Sequence, residues 1–317
     1  MVPTLLLRRA LWLPAVSAGL ATTVTRYYLT HPQRVIAHPP ADLGAISKHV
    51  YWRASDGARL HGLWIPAEPG PTAGRGERTI IHLHGYNSSA GLLLSRVPPF
   101  RRGPIHLPDG SGPQPLFAWP LVRAGLARGY NFLLVDLRGH GRSTGPWDPS
   151  GMHAISDLMG WARWLREERG QLWAGLWGNS FGASVGLALA AKPSGGGLDA
   201  MVLDSPAITA DGLYSGVVRK PAYWLIQPTL YRLSNKSLLK QLEAARVWMP
   251  ILLIHGEEDR HVPVWQSQRA YELIRSPEAP ERVQLWVVPE ADHLEALEVA
   301  EQTYIERTLN WFDRWFG

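Results

Sequence analysis

Short apolar runs alternate along this chain with longer stretches in which apolar residues recur every three or four positions. The runs at 49–54 and 60–66 are joined by Ser55, Asp56 and Gly57, which reads as a hairpin. Further strand-like runs lie at 79–84, 131–136, 200–204, 250–255 and 283–288, and another leads from Leu172 into a glycine-flanked serine at 180. Helical spacing marks 152–168, where Ile155, Leu158, Trp161 and Leu165 share one face. Helices are also expected at 121–128, 264–274 and 294–316. Strands alternating with helices after an initial hairpin predict an α/β fold, a mostly parallel sheet covered on both faces. In such sheets the ligand site lies outside the carboxyl ends of the strands.

The stretch from Leu172 to Lys192 carries the sharpest signal. An apolar run breaks at Gly178, Asn179, Ser180, Phe181 and Gly182 and resumes as a small-residue helix. That is strand, turn and helix with a serine at the apex. A serine there sits in strained backbone, and side chains at the flanking positions would collide with the neighbouring strand and helix. Gly178 and Gly182 remove the collisions, and the turn points the first amides of the helix at the space above the hydroxyl. Gly182, Gly186 and Ala190 recur at four-residue spacing, so the helix can lie close on its sheet. In a chain with 31 glycines this motif alone carries little weight.

Composition narrows the picture. With 317 residues, 45% hydrophobic and 19% charged, the chain can bury a sizeable core in one large or two modest domains. Cysteine is absent, which excludes disulfides, thiolate catalysis and cysteine metal sites. The net charge of +5 comes without a dense Lys/Arg block, so no nucleic-acid partner is expected. No repeat of solenoid period is present.

The ends and insertions set the domain plan. Arg8 and Arg9 precede sixteen uncharged residues, 10–25, followed by Arg26, Tyr27 and Tyr28. Residues 1–29 are therefore expected to be a signal or membrane-anchor segment, giving an anchored or exported protein, with a packed N-terminal helix in a cytoplasmic protein as the alternative. Residues 30–47, with their prolines, read as a linker arm, and 48–317 as the main domain. An insertion at 94–120, rich in Pro and Arg, is either a surface excursion or part of an acyl-pocket wall or a membrane-facing lip. A second, at 207–249, carries Tyr214, Tyr223, Trp224, Leu225, Ile226, Leu230 and Tyr231.

Over residues 48–317 the chain resembles the α/β-hydrolase superfamily. His84, Gly85 and Tyr86 match the segment after the third strand. Asp136, Leu137, Arg138, Gly139, His140, Gly141, Arg142 and Ser143 match the turn after the fourth, and residues 178–182 the nucleophile elbow. Residues 255–263 match the acid loop and 289–293 the histidine loop. The order Ser, Asp, His is the family's order. The N-terminal segment and arm look similar to membrane-associated bacterial members with a prolyl-oligopeptidase-like core. The resemblance implies an eight-stranded, mostly parallel sheet with helices on both faces and a lid at 207–249. It also implies a triad of Ser180, Asp259 and His293, with backbone amides of Tyr86 and Phe181 as the oxyanion hole.

The residue types suit those roles. A neutral serine hydroxyl needs a base, an imidazole titrates in the right range, and a carboxylate holds its tautomer. Glu257 and Glu258 compete with Asp259 for the acid, and His255 and His261 with His293 for the base. His255 is expected to cap or pack, His261 to be exposed, and His82 and His140 to be structural. His82 and His84, two residues apart, have no carboxylate cluster beside them, so neither metal nor cofactor is expected. A serine nucleophile argues against the dehalogenase and epoxide-hydrolase chemistries that use aspartate. The expected activity is cleavage of a small-molecule or lipid-like carboxylic ester through an acyl-enzyme. Peptidase, thioesterase and acyltransferase share the triad, and an inactive membrane-tethered binding protein is the alternative from another class.

Overall fold

In the computed structural model, residues 32, 34–67, 77–93, 105–107, 116–148, 150–193, 195–209 and 238–316 are described. Eight strands form the main sheet: β1 (Lys48–Arg53), β2 (Arg59–Ile65), β3 (Arg78–Leu83), β4 (Asn131–Val135), β5 (Trp173–Asn179), β6 (Ala200–Asp204), β7 (Ile251–Gly256) and β8 (Val283–Val288). Their order across the sheet is β1-β2-β4-β3-β5-β6-β7-β8. β2 pairs antiparallel with β1 and β4, and every other pairing is parallel. The eight-stranded α/β sheet expected from the motifs is therefore the fold observed.

The inner strands explain their own placement. β3, β4, β6 and β7 are buried along their whole length, as a parallel sheet with both faces covered requires. Alternate residues feed two separate cores. Ile81, Leu83, Leu133, Leu176 and Leu203 point to one, built with α3 (Met152–Arg169) and α4 (Phe181–Ala190). Ile80, Phe132, Leu134, Trp177 and Val202 point to the other, built with α2 (Trp119–Ala127) and α8 (Glu301–Trp315). β3 is flanked by β4 on one side and β5 on the other, so the chain reverses its direction of winding there. The crevice above the carboxyl ends of β3 and β5 is the place such a sheet offers a ligand.

Some elements differ from the pattern. The single helix expected over 294–316 is two, α7 (Ala296–Val299) and α8, because Ala300 leaves the helical region at φ −134° and ψ 47°. No Gly or Pro marks that break in the sequence. The lid expected at 207–249 is described at its two ends. Ile208 accepts from the amide of Leu239 in the first turn of the short helix α5 (Leu238–Ala244), and its own amide donates to Gln266 on α6 (Trp265–Ile274). Trp224 and the other lid aromatics lie outside the described residues, as does most of the 94–120 insertion. Leu116–Phe117 closes that insertion by pairing with Leu92–Leu93.

The 1–29 segment also lies outside the described residues, among which no helix is long and apolar enough to cross a membrane. The described part of the arm expected at 30–47 packs on the domain. Val35–Ile36 pairs with Ile105–His106, and Arg34 donates to the Ser143 carbonyl at 2.8 Å. The helix α1 (Ala41–Ile46) buries Leu43 to 3% exposure, and its Asp42 takes a two-pronged bond from Arg123 of α2. Burying a leucine contributes about 1.5–3 kcal/mol. A protein starting at Lys48 should therefore melt below one starting at Gln33, and Leu43→Ala alone should cost about 2–5 kcal/mol in denaturant titration. Equal unfolding midpoints for all three would show the arm to be mere connection.

Candidate active site

Ser180 stands where β5 turns into α4, with φ 51° and ψ −110°, a backbone conformation costly for a residue with a side chain. Its amide donates to the Asp204 carbonyl at 2.8 Å, which ties the turn to β6. The flanking glycines are sterically required. A Cβ on Gly182 would lie 2.0 Å from the carbonyl oxygen of Leu83 on β3, and one on Gly178 would lie 2.8 Å from the carbonyl oxygen of Gly182. These are the strand and helix collisions expected from the motif.

The structure brings the three expected side chains into one line. Ser180 Oγ is 3.0 Å from His293 Nε2, and His293 Nδ1 is 2.7 Å from Asp259 Oδ2. Glu257 and Glu258 point to solvent. Asp259 is buried, with three neighbours besides His293. Oδ1 accepts from the amides of His261 and Val262, and Oδ2 takes His255 Nε2 at 3.2 Å besides His293. Burial alone would raise this carboxyl. The hydrogen bonds from His255 and His293 outweigh burial and hold it well below the usual carboxylate range. Thus His255 packs, as expected, but also supports the acid. His261 is half-buried rather than exposed, because its ring lies 5.3 Å from that of His293.

The loop after β3 lies against the serine. A Cβ on Gly85 would come within 3.2 Å of Ser180 Cβ, a tight contact that a glycine avoids. His84 sets the next peptide. The Leu137 amide donates to its Nε2 at 3.0 Å, which leaves the proton on Nδ1, and Nδ1 donates to the Gly85 carbonyl at 2.6 Å. The Gly85 carbonyl and the Tyr86 N–H belong to one trans peptide and point opposite ways, so holding one aims the other. His140 acts similarly one residue on. Its Nε2 accepts from the Asn87 amide at 3.2 Å while Nδ1 donates to the Arg138 carbonyl. Asp136 accepts from the Ala90 and Arg142 amides and from His61 Nδ1 at 2.6 Å, and His61 in turn meets His49 at 2.8 Å. Phe181, whose amide is the other expected oxyanion donor, opens α4, and its ring packs 4.5 Å from Trp147.

His61 and Asp204 had no mark in the sequence, and Asp292, inside the histidine-loop match, had no role assigned to it. Asp204 is fully buried behind the elbow, where it accepts from Tyr304, which accepts in turn from the Trp177 indole. Burial raises its carboxyl. His82 and His84, two residues apart, each spend both ring nitrogens on protein groups, His82 on Asn179 and the Gly91 amide. Among the described residues one group, Asp259, His261 and Asp292, brings possible metal-ligand atoms within 4.8 Å of one another. Asp259 there holds His293, and Asp292 holds Arg260.

The strand order and the strand–turn–helix at Ser180 define an α/β-hydrolase with a prolyl-oligopeptidase-like core. Residues 120–317 match the prolyl oligopeptidase family, and the chain belongs to that family. It is 26% identical over 268 residues to the Escherichia coli protein YfhR, covering 84% of this chain and 80% of that one. An esterase of Pyrococcus furiosus superposes with a TM-score of 0.67 at 27% identity, over 90% of this chain and 100% of its own. An acylaminoacyl peptidase of Pyrococcus horikoshii shares the fold, with a TM-score of 0.59 at 18% identity, over 85% of this chain and 42% of its own.

Two outcomes follow from this geometry. Gly182→Ala should abolish the close approach of α4 to β3 and cost several kcal/mol, read as a large drop in melting temperature, since the clash is with backbone. The second concerns acid. Burial lowers His82 and His140 to about 4 and His84 to about 3. These rings are neutral when folded and take up protons on unfolding between their folded values and about 6.5. Stability should be intact above pH ~6.5 and fall as pH drops toward 4, with about one proton bound per histidine on unfolding. A midpoint flat across that window would contradict the burial of these rings.

Proposed function

We propose that this hydrolase cleaves carboxylic esters with Ser180 as nucleophile, His293 as general base and acid, and Asp259 as the acid that orients it. The observation that carries this reading is the unbroken hydrogen-bonded line from Ser180 Oγ through His293 to Asp259. Ser180 Oγ attacks the ester carbonyl as its proton passes to His293 Nε2. His293 Nδ1–H stays with Asp259, whose charge stabilises the imidazolium. The amides of Tyr86 and Phe181 receive the oxyanion, each worth ~3 kcal/mol of barrier in comparable sites. The imidazolium then protonates the departing alcohol, and water repeats the sequence on the acyl-enzyme.

The likeness to the Pyrococcus furiosus esterase supports esters as substrates. Peptide cleavage is the second reading, favoured by the family itself. An anchored or exported location draws support from the charge-flanked apolar run at 10–25.

Ser180→Ala should lower turnover of nitrophenyl esters by several orders of magnitude and leave the melting temperature nearly unchanged. Asp259→Asn should cost about 10⁴ by favouring the wrong tautomer, and Glu257→Gln or Glu258→Gln far less. The wild type should prefer esters over peptide anilides and acyl-CoA in one panel. A preference for the anilides would establish the peptidase, and full activity in Ser180→Ala would remove the proposed site.

A further inference from the structure

The acid and histidine loops are stitched together by backbone bonds only as far as the residues before the triad. The Glu257 amide donates to the Val288 carbonyl at 2.9 Å and the Glu258 amide to the Ala291 carbonyl at 3.0 Å. Asp259 and His293 come next, and the stitching passes to one side chain. Asp292 Oδ1 accepts from the amide of Arg260 at 2.9 Å and from the amide of His293 at 2.8 Å. Asp292 Oδ2 accepts from Arg260 Nε at 2.8 Å and also from Nη2. Asp292 thus closes the ladder beyond Asp259, one residue on in the acid loop and one residue back in the histidine loop.

We infer that Asp292 and Arg260 form a clamp that positions His293 against Asp259, a role that rests on the triad proposed above. Three features separate the clamp from an ordinary surface ion pair, which is worth ~0–1 kcal/mol. The carboxylate is buried, its side chain 8% exposed, although the guanidinium is 72% exposed. The contact is a planar fork that lysine cannot copy. One carboxylate oxygen also takes the peptide N–H of both loops, so its geometry sets the spacing of the two backbones. Burial would raise the Asp292 carboxyl, and the bonds from the Arg260 amide and guanidinium more than offset this, so it stays ionised. Glu295, which accepts from the Asp292 amide, completes the histidine-loop side. Asp292 and Arg260 are positioning residues, with no step in the reaction themselves.

The test measures kcat and KM for a nitrophenyl ester in Asp292→Asn, Arg260→Gln, Arg260→Lys and the Asp292→Asn/Arg260→Gln double variant, beside Ser180→Ala. Partners that orient a metal-ligating histidine typically matter 10- to 100-fold, and a loss of the same order is expected where the histidine is a general base. Each single variant should lose about that much in kcat with KM within about twofold, and Arg260→Lys should recover only part. The double variant should be no worse than its worse parent, as expected of one coupled unit. The far-downfield proton resonance of the His293 N–H held by Asp259 should broaden or move upfield in both single variants. Should Asp292→Asn not fold, Arg260→Gln carries the test alone, since that side chain is largely exposed. Wild-type kcat in Arg260→Gln, additive losses in the double variant, or an unchanged resonance would overturn the clamp. If Ser180→Ala is inactive in that case, the proposed triad stands without it; if Ser180→Ala is active, the triad itself falls.

Discussion

The approach of α4 to the end of β3 is the constraint on which the rest of the site depends. A methyl group at Gly182 would sit 2.0 Å from the Leu83 carbonyl oxygen, so the helix can start where it does only without a side chain there. That contact fixes the elbow, and the elbow holds Ser180 at a positive φ. Strain of this kind persists where the surroundings over-determine it. Here they do: the Asp204 carbonyl holds the Ser180 amide, and Gly178 lets the first turn of α4 fold back on β5.

The same pattern recurs around the crevice. Among the described residues, the non-glycine positions with positive φ are Asn87, Ser180, Ser205, Glu290 and Leu294. They follow the carboxyl ends of β3, β5, β6 and β8, the ends that carry the loops of the site. The sheet supplies rigidity, and these non-glycine departures gather in the loops around Ser180 and His293.

Two opposite treatments of buried ionisable groups hold those loops. His82, His84 and His140 are neutral because burial penalises their charged form. A neutral ring offers one donor and one acceptor, and each of these rings uses its acceptor on a loop amide: Gly91, Leu137 and Asn87. Asp259 is buried yet ionised, because the His293 imidazole and two amides donate to it and His255 Nε2, whose own bond is to the Val262 carbonyl, lies 3.2 Å away. Neutral rings shape the loop over the serine, and an ionised carboxylate holds the ring that faces it.

The sequence by itself determined the fold class and the three residues on the central line. Short apolar runs and helical spacing separate strands from helices, and the glycines around Ser180 fit the close backbone contact that a strand–turn–helix elbow demands. Asp259 was separable from Glu257 and Glu258 through its place in the acid loop, by resemblance rather than by any local property. Tertiary structure alone decided what supports them. Asp292 and Arg260 are an ordinary acid and base in sequence, 32 positions apart, and His61 lies 75 positions from Asp136. The break at Ala300 carries no Gly or Pro, and Leu43 is buried in a core assembled from residues far along the chain. Patterns of periodicity report which face of an element is buried, whereas hydrogen-bond partners across loops depend on how distant elements are brought together, which no local pattern records.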